Sequence, residues 1–163
     1  MKLLKVLLAT LVLSFSFNAM AATRVLTDDE SVVFTGAIGE GNMKVIKQFI
    51  DSGVDVNTGY FAWPPLLMAA AKNQLEAVKY FVEHGAKIDY THPMTKWTAF
   101  MHAAYDGNEQ MVRYLAEKGA DINKKMKGDV SVVRLMRDEG NTKMVDLLLS
   151  LGVKDDGCED KCF

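Results

Sequence analysis

His102 and Asp106 are the two side chains whose types and spacing come nearest to a reactive pair. They lie four residues apart, so on a helix both would lie on one face, within reach of each other. A histidine and a carboxylate can share a proton or ligate a metal ion, but zinc sites take three or four protein ligands. No cysteine or further carboxylate has a spacing that would join them. A metal-dependent enzyme built on this pair is therefore the weaker hypothesis, and elemental analysis of the purified protein would test it.

The remaining residues offer little catalytic chemistry. No serine or cysteine lies in a recognisable setting with a base and an orienting acid, and no glycine-rich loop could cradle a phosphate. His84 directly precedes Gly85 at the predicted end of a helix, where a polar or cationic group suits the helix dipole. The sequence therefore predicts no enzymatic activity, no cofactor and no bound metal.

Two cysteines, Cys158 and Cys162, lie in the last six residues, in a tail that we assign to residues 155–163. In an exported protein an even pair of this kind predicts a disulfide. Free thiols are the main alternative. A metal site would need further ligands, and the tail offers only Asp and Glu.

Residues 1–21 have the pattern of a cleaved signal peptide. Two early lysines precede an apolar run over residues 6–17, and Ala19-Met20-Ala21 has the small-x-small pattern that signal peptidase recognises. The run is short for a bilayer core of about 30 Å, so a retained anchor is the alternative. We expect a mature chain that begins near Ala22, lies in the periplasm or is secreted, and does not insert into the membrane.

The charge of the chain argues against a nucleic-acid partner. Its net charge is −2, and removal of the two early lysines would make it more acidic. Nucleic acids and anionic membrane surfaces attract basic proteins, so neither is expected as a partner. The one dense group of lysines, in residues 124–127, is short enough to be a solvated loop.

The elements that position these residues are predicted from a repeated helical pattern. Thr27-Asp28-Asp29-Glu30 is a capping box that opens the first helix. A second helix follows with an apolar stripe of Val45, Ile46, Phe49 and Ile50, spaced as on one face of a helix. A glycine then ends this helix, because glycine adopts the left-handed conformation without steric cost.

This outline recurs four times with the same spacing. The turn residues are separated by 32, 34 and 33 residues, and so are the glycines that end the second helices. The turn residues are Gly41, Asn73, Gly107 and Gly140, and the closing glycines are Gly53, Gly85, Gly119 and Gly152. A period near 33 predicts a solenoid of helix pairs.

The repeated unit resembles the ankyrin repeat. The inner-helix motif of that family, Thr-Pro-Leu-His-x-Ala, has degenerate counterparts at residues 64–69 and 98–103, which both lack its histidine. Its Gly-Ala-Asp ending is clearest at residues 119–123. The resemblance covers about residues 30–154 and implies an all-α solenoid of helix-turn-helix units joined by short finger loops, without a missing unit at either end. We assign residues 22–154 to this domain, with repeats at about 31–57, 64–89, 98–123 and 131–154.

Ankyrin stacks bind partners through their finger loops and through the face lined by their inner helices, so the resemblance directs attention to both. The first two connections, residues 58–63 and 90–97, carry an unusual number of large rings for exposed loops. Aromatic side chains are enriched at protein interfaces. The candidate partner-binding residues are Tyr60, Phe61, Trp63, Lys72, Tyr90, His92, Met94, Trp97, His102, Tyr105 and Asp106.

Structural roles are an alternative for several of these residues. Trp63 and Trp97 each directly precede an inner-helix motif, where they could fix one finger loop onto the next. Tyr60 or Phe61 could pack beneath its neighbour. The charges on the inner helices could also be simply solvated.

The sequence thus predicts an exported module that binds another protein and has no chemistry of its own. An accessory factor for an exported enzyme is the role that we favour. The alternatives are an immunity or inhibitor protein that neutralises a secreted toxin, a self-associating structural protein and, with least support, the metal-dependent enzyme.

Overall fold

The computed structural model describes residues 23–60 and 62–155, which contain eight α-helices and no β-strand. The helices are α1 (Asp28–Glu40), α2 (Met43–Asp51), α3 (Pro65–Ala71), α4 (Leu75–Glu83), α5 (Ala99–Tyr105), α6 (Glu109–Glu117), α7 (Val132–Asp138) and α8 (Thr142–Ser150). They form four pairs, and the predicted all-α solenoid of helix-turn-helix units is confirmed. No helix in this part of the chain has the length and apolar character needed to cross a bilayer.

The first helix begins at the predicted capping box. The hydroxyl of Thr27 accepts a hydrogen bond from the Glu30 amide at 3.3 Å, and the Glu30 carboxylate accepts one from the Thr27 amide at 3.0 Å. Two amides that no helical carbonyl reaches are satisfied in this way. Val32 and Val33 on this helix are exposed, whereas Phe34, Ala37 and Ile38 are buried.

The second helix of each pair has nine residues, and in three of the four pairs an asparagine side chain caps its beginning. The side-chain oxygens of Asn42, Asn108 and Asn141 accept hydrogen bonds from the amides of Val45, Met111 and Met144. Gln74 holds the equivalent position before α4 but makes no cap there. Its side chain instead donates to the carbonyl of Gly39, 2.9 Å away in the preceding unit.

The helices pack in two layers. The first helices of successive pairs, α1, α3, α5 and α7, contact one another in order, and α2, α4 and α6 form the second layer. The small pairs Ala69-Ala70 and Ala103-Ala104 are buried between adjacent first helices, where small side chains allow a close approach. In the last pair a buried methionine, Met136, holds this position and fills the end of the core. Met136 is therefore a core residue, whereas its charged neighbours Asp138 and Glu139 are exposed to solvent.

Side chains at the unit boundaries also tie each pair to the next. Asn57, Asp89 and Asn123 occupy equivalent positions after the second helix of their units. Each accepts a hydrogen bond of 2.8 Å from a backbone amide of the next unit, and the donors are Lys87, Asp121 and Lys154. The stack is thus held by a regular series of polar bonds in addition to its apolar core.

Several predictions fall outside the described residues. The proposed signal peptide, Phe61 and the cysteines Cys158 and Cys162 all lie there, so the signal and the disulfide stay predictions.

Candidate partner-binding surface

The first two finger loops are tight hairpins that contact each other. In the first, the amides of Tyr60 and Trp63 each donate to the other's carbonyl, at 3.1 and 2.9 Å. In the second, the amide of His92 donates to the carbonyl of Trp97 at 2.9 Å. The Tyr90 hydroxyl donates to the Ala62 carbonyl of the first loop at 3.2 Å, so the two hairpins are joined.

Tyr60 is a core residue, which corrects its prediction as an exposed residue of the finger. Its ring meets the buried ring of Phe34 edge to face, with the centroids 5.7 Å apart. Burial, with a contribution from Asp55, raises the pKa of its phenol. The hairpin turns this side chain inward, beneath the finger and onto the first unit.

Five predicted site residues have rings that form one connected group, which we call the aromatic cluster: Trp63, His92, Trp97, His102 and Tyr105. The His102 ring lies between the two tryptophans, 5.7 Å from Trp63 and 4.8 Å from Trp97 between centroids. Trp63 also packs on His92, and Trp97 on Tyr105. The stapling role considered for the tryptophans therefore has a structural basis, because Trp63 connects the first finger to the second finger and to α5.

His92 and His102 have different surroundings within this cluster. The Nδ1 atom of His92 lies 3.4 Å from the Thr95 amide, which donates to it, and closes the turn of the second finger. The Nε2 atom of His102 is buried and has no hydrogen-bond partner among the described residues. Burial, and secondarily the nearby His92, lowers the pKa of His102 to about 4, so its ring is neutral at pH 7.

An open groove of about 550 Å³, here called the inner-helix groove, lies beside this cluster. The finger loops form one wall through Trp63, Thr95 and Trp97, and the inner helices form the other. Its lining residues are Trp63, Ala71, Thr95, Trp97, His102, Tyr105, Asp106, Leu135 and Glu139. Tyr105 is 49% exposed, although it is a large ring.

A second open groove of about 480 Å³, the finger groove, continues from the first between the second finger loop and the third, which comprises residues 124–130. The two grooves share Thr95, Trp97 and Leu135. Met94 projects beside it and is 75% exposed. The residues that line it are Met94, Thr95, Trp97, Met126, Lys127, Val130 and Leu135.

The structure brings most of the predicted site residues to this one surface. Trp63, Met94, Trp97, His102, Tyr105 and Asp106 line its grooves. Tyr90 and His92 are half-buried and support the fingers from within, and Lys72 is exposed at the end of α3 without lining either groove. His102 and Asp106 do share the inner-helix groove. Even so, no group of three or more potential metal ligands occurs among the described residues.

The predicted site did not include Leu135, Glu139 or Val130. The repeat spacing could have identified all three, because they follow His102, Asp106 and Trp97 by 33 residues and so occupy equivalent positions in the next unit. Residue type alone gave no signal, since a lone leucine or valine in a helical pattern usually indicates core.

Comparison with known proteins adds a family match and several relatives. The family model described as Ankyrin repeats (3 copies) matches residues 34–126. Ankyrin repeat and SAM domain-containing protein 6 of Rattus norvegicus is 34% identical over 121 residues, which cover 71% of this chain and 13% of that protein. Its counterpart in Mus musculus is also 34% identical over 121 residues, with 71% and 14% covered.

Alpha-latrocrustotoxin-Lt1a of Latrodectus tredecimguttatus is 32% identical over 124 residues, which cover 76% of this chain and 8% of that protein. The chain thus spans less than a sixth of the length of each of these relatives. What is similar is the run of repeats.

Proposed function

The chain belongs to the ankyrin-repeat family, whose repeats are protein–protein interaction modules, and on this basis we propose that it binds one partner protein through its two adjoining grooves. The binding surface consists of the inner-helix groove and the finger groove, with Trp97, Thr95 and Leu135 between them. The protein acts by binding its partner and carries out no reaction, in keeping with a family that is generally non-catalytic.

The observation that carries this proposal is the exposure of large apolar side chains along a single surface. Tyr105 and Met94 are 49% and 75% exposed, and each lies beside the half-buried ring of Trp97. Interfaces gain most of their free energy from a few aromatic and similar anchors that a partner desolvates.

We further propose that the fourth helix pair, α7 and α8, is a repeat of the same family, although the family match ends at residue 126. Ser131 caps α7 through a 3.1 Å hydrogen bond from Arg134, as Thr98 caps α5. Asn141 caps α8 as Asn108 caps α6. Leu135 and Glu139 of this pair complete the wall of the inner-helix groove.

Export to the periplasm is also part of the proposal, with secretion as the alternative. The pattern of residues 1–21 supports it. In that compartment we propose that the protein is an accessory factor for an exported enzyme.

A capture experiment on a periplasmic extract of the source organism tests the binding proposal. Wild-type protein should retain one partner, and the double variant Tyr105→Ala with Met94→Ala should lose it. Removal of an anchor costs about 2 kcal/mol or more, which corresponds to at least a roughly 30-fold weaker affinity. A matched control is Val32→Ala with Val33→Ala, which removes exposed apolar side chains from α1, away from both grooves.

The outcomes are distinct. If wild type and a folded Tyr105/Met94 variant retained the partner equally, the binding surface would not be the one that we assign to the two grooves. Loss of the partner with the α1 control as well would show that exposed apolar area in general drives capture. Capture of a toxin would replace the accessory role with that of an immunity or inhibitor protein.

A further inference from the structure

Two carboxylates stand among the rings of the inner-helix groove. Asp106 directly follows α5 and Glu139 directly follows α7, at equivalent positions of successive units, and both line the groove with Trp97 and Tyr105. They are the only residues with a formal charge at pH 7 in its lining, because His102 is neutral there. The groove is therefore acidic as well as aromatic.

Neither carboxylate is neutralised within the described part of the chain. Asp106 and Glu139 take part in none of the ion pairs there, whereas Glu109, three residues after Asp106, is paired with Lys143 at 2.6 Å. Burial raises the pKa of Asp106, because partial loss of water disfavours its charged form. A cation that entered the groove would supply the missing partner.

The rings favour the same kind of ligand. The faces of tryptophan and tyrosine attract a cation that lies within about 6 Å of the ring centroid, and the attraction is stronger where water is excluded. Among cations, a guanidinium group is especially suited to such a groove, because its plane stacks on aromatic faces and its N–H donors match the two oxygens of a carboxylate. A volume of about 550 Å³ is ample for a single extended side chain.

We propose that the inner-helix groove binds an arginine side chain of the partner protein. The guanidinium lies against the rings of Trp97 and Tyr105, stacked on one of them, and pairs with the carboxylates of Asp106 and Glu139. Apolar residues beside this arginine lie in the finger groove against Met94, Met126 and Val130. The partner therefore presents an arginine flanked by apolar side chains. This inference rests on the proposed binding function and specifies its chemistry.

Intrinsic fluorescence gives a direct test, because the chain has two tryptophans and both, Trp63 and Trp97, line this groove. The probes are the peptides acetyl-Leu-Arg-Leu-amide and acetyl-Leu-citrulline-Leu-amide, which differ in charge but hardly in shape. We expect a saturable change in emission with the arginine peptide and at least a tenfold weaker response to the citrulline peptide. The preference should decrease as salt is added.

Two double variants test whether the preference for arginine depends on the carboxylates of the inner-helix groove. Asp106→Asn with Glu139→Gln should reduce the preference for arginine over citrulline to about one. Glu117→Gln with Asp146→Asn removes two exposed carboxylates elsewhere on the molecule and should leave the preference unchanged. Equal binding of the two peptides, no saturable change with either, or a preference that survives the Asp106/Glu139 double change would overturn the proposal.

This test is independent of the capture experiment. If the peptides show no arginine preference while the partner is still lost on changing Tyr105 and Met94, the binding function stands and the cationic ligand is wrong. If arginine is preferred but no partner depends on the grooves, the binding function is wrong instead.

Discussion

His102 combines a polar ring with surroundings that provide no partner for its Nε2 atom within the described residues. Two tryptophan rings enclose it, and its pKa is lowered to about 4 from the ordinary value of 6.5. A buried imidazole without a partner costs free energy, and a protonated one would cost more. The residue is best understood as an uncharged spacer between two rings, which is a different role from the metal ligand considered first.

The lowered pKa has a consequence for stability. Between pH 6.5 and 4 the unfolded chain binds a proton at His102 that the folded chain does not, so the free energy of unfolding should fall as the pH is lowered through this range. The raised pKa of Asp106 acts in the opposite direction. In urea titrations at pH 7 and pH 5, His102→Gln should therefore lose less stability than wild type. An equal loss in both proteins would assign the pH dependence to other groups.

Truncation of Tyr60 should destabilise the fold much more than truncation of Tyr105. Tyr60 is buried against Phe34, so Tyr60→Ala should lower the free energy of unfolding by about 3 kcal/mol or more, as other large aromatic deletions do. Tyr105 is half exposed, so Tyr105→Ala should cost less than about 1 kcal/mol while weakening partner binding. Chemical denaturation measures both. A similar loss for the two variants would contradict this division between core and surface.

The contrast between these tyrosines also shows what the sequence could not provide. Tyr60 was predicted as a contact residue because it is a large ring in a finger loop, and Tyr105 because it lies on an inner helix whose face binds partners in the ankyrin family. Burial of Tyr60 depends on which side of a four-residue hairpin faces Phe34, more than 20 residues earlier in the chain. The residue types in the hairpin do not indicate which of its sides faces the core.

At the scale of single elements, the asparagines that begin the second helices make a measurable contribution. Asn108 caps α6 through the Met111 amide at 2.9 Å, and its Nδ2 atom donates to the side chain of Asn73 at 2.6 Å. Asn108→Ala should therefore cost about 1 kcal/mol for the cap, with a smaller addition for the second bond. Gln110→Ala, an exposed change in the same helix, is the control and should stay within about 0.5 kcal/mol. Thermal denaturation of the two variants measures this difference, and indistinguishable stabilities would refute the role of the cap.

The helices were predictable because their signals are local. Thr27 with Glu30, and the closing glycine Gly53 at φ 94°, act within a few residues of themselves. The finger loops were less predictable. Ala62, Lys96 and Asp129 have positive φ values at equivalent positions, and none of them is the glycine that usually marks such a turn. The stacking of one finger on the next holds these residues in that conformation, and a single unit read alone does not reveal it.

At the scale of the whole molecule, stability should be graded along the stack. Among the described helices, the units at either end contact one neighbouring unit, whereas the pairs α3–α4 and α5–α6 are packed on both sides. In repeat proteins the interfaces between units supply much of the stability. Amide hydrogen exchange should therefore be slowest in α3 and α5 and faster in α1 and α8. Uniform protection along the chain would indicate instead that the four pairs unfold together.

The bonds that Asn57, Asp89 and Asn123 make to the next unit divide the molecule at intervals of about 33 residues. A chain pulled from its two ends would load these bonds in series. A fully extended residue spans at most about 3.3–3.6 Å, so each unit that detached would release roughly 110 Å of chain. The molecule should accordingly lengthen under tension in discrete steps of nearly equal size. Within one stack, each step that occurred would leave the remaining units packed as before.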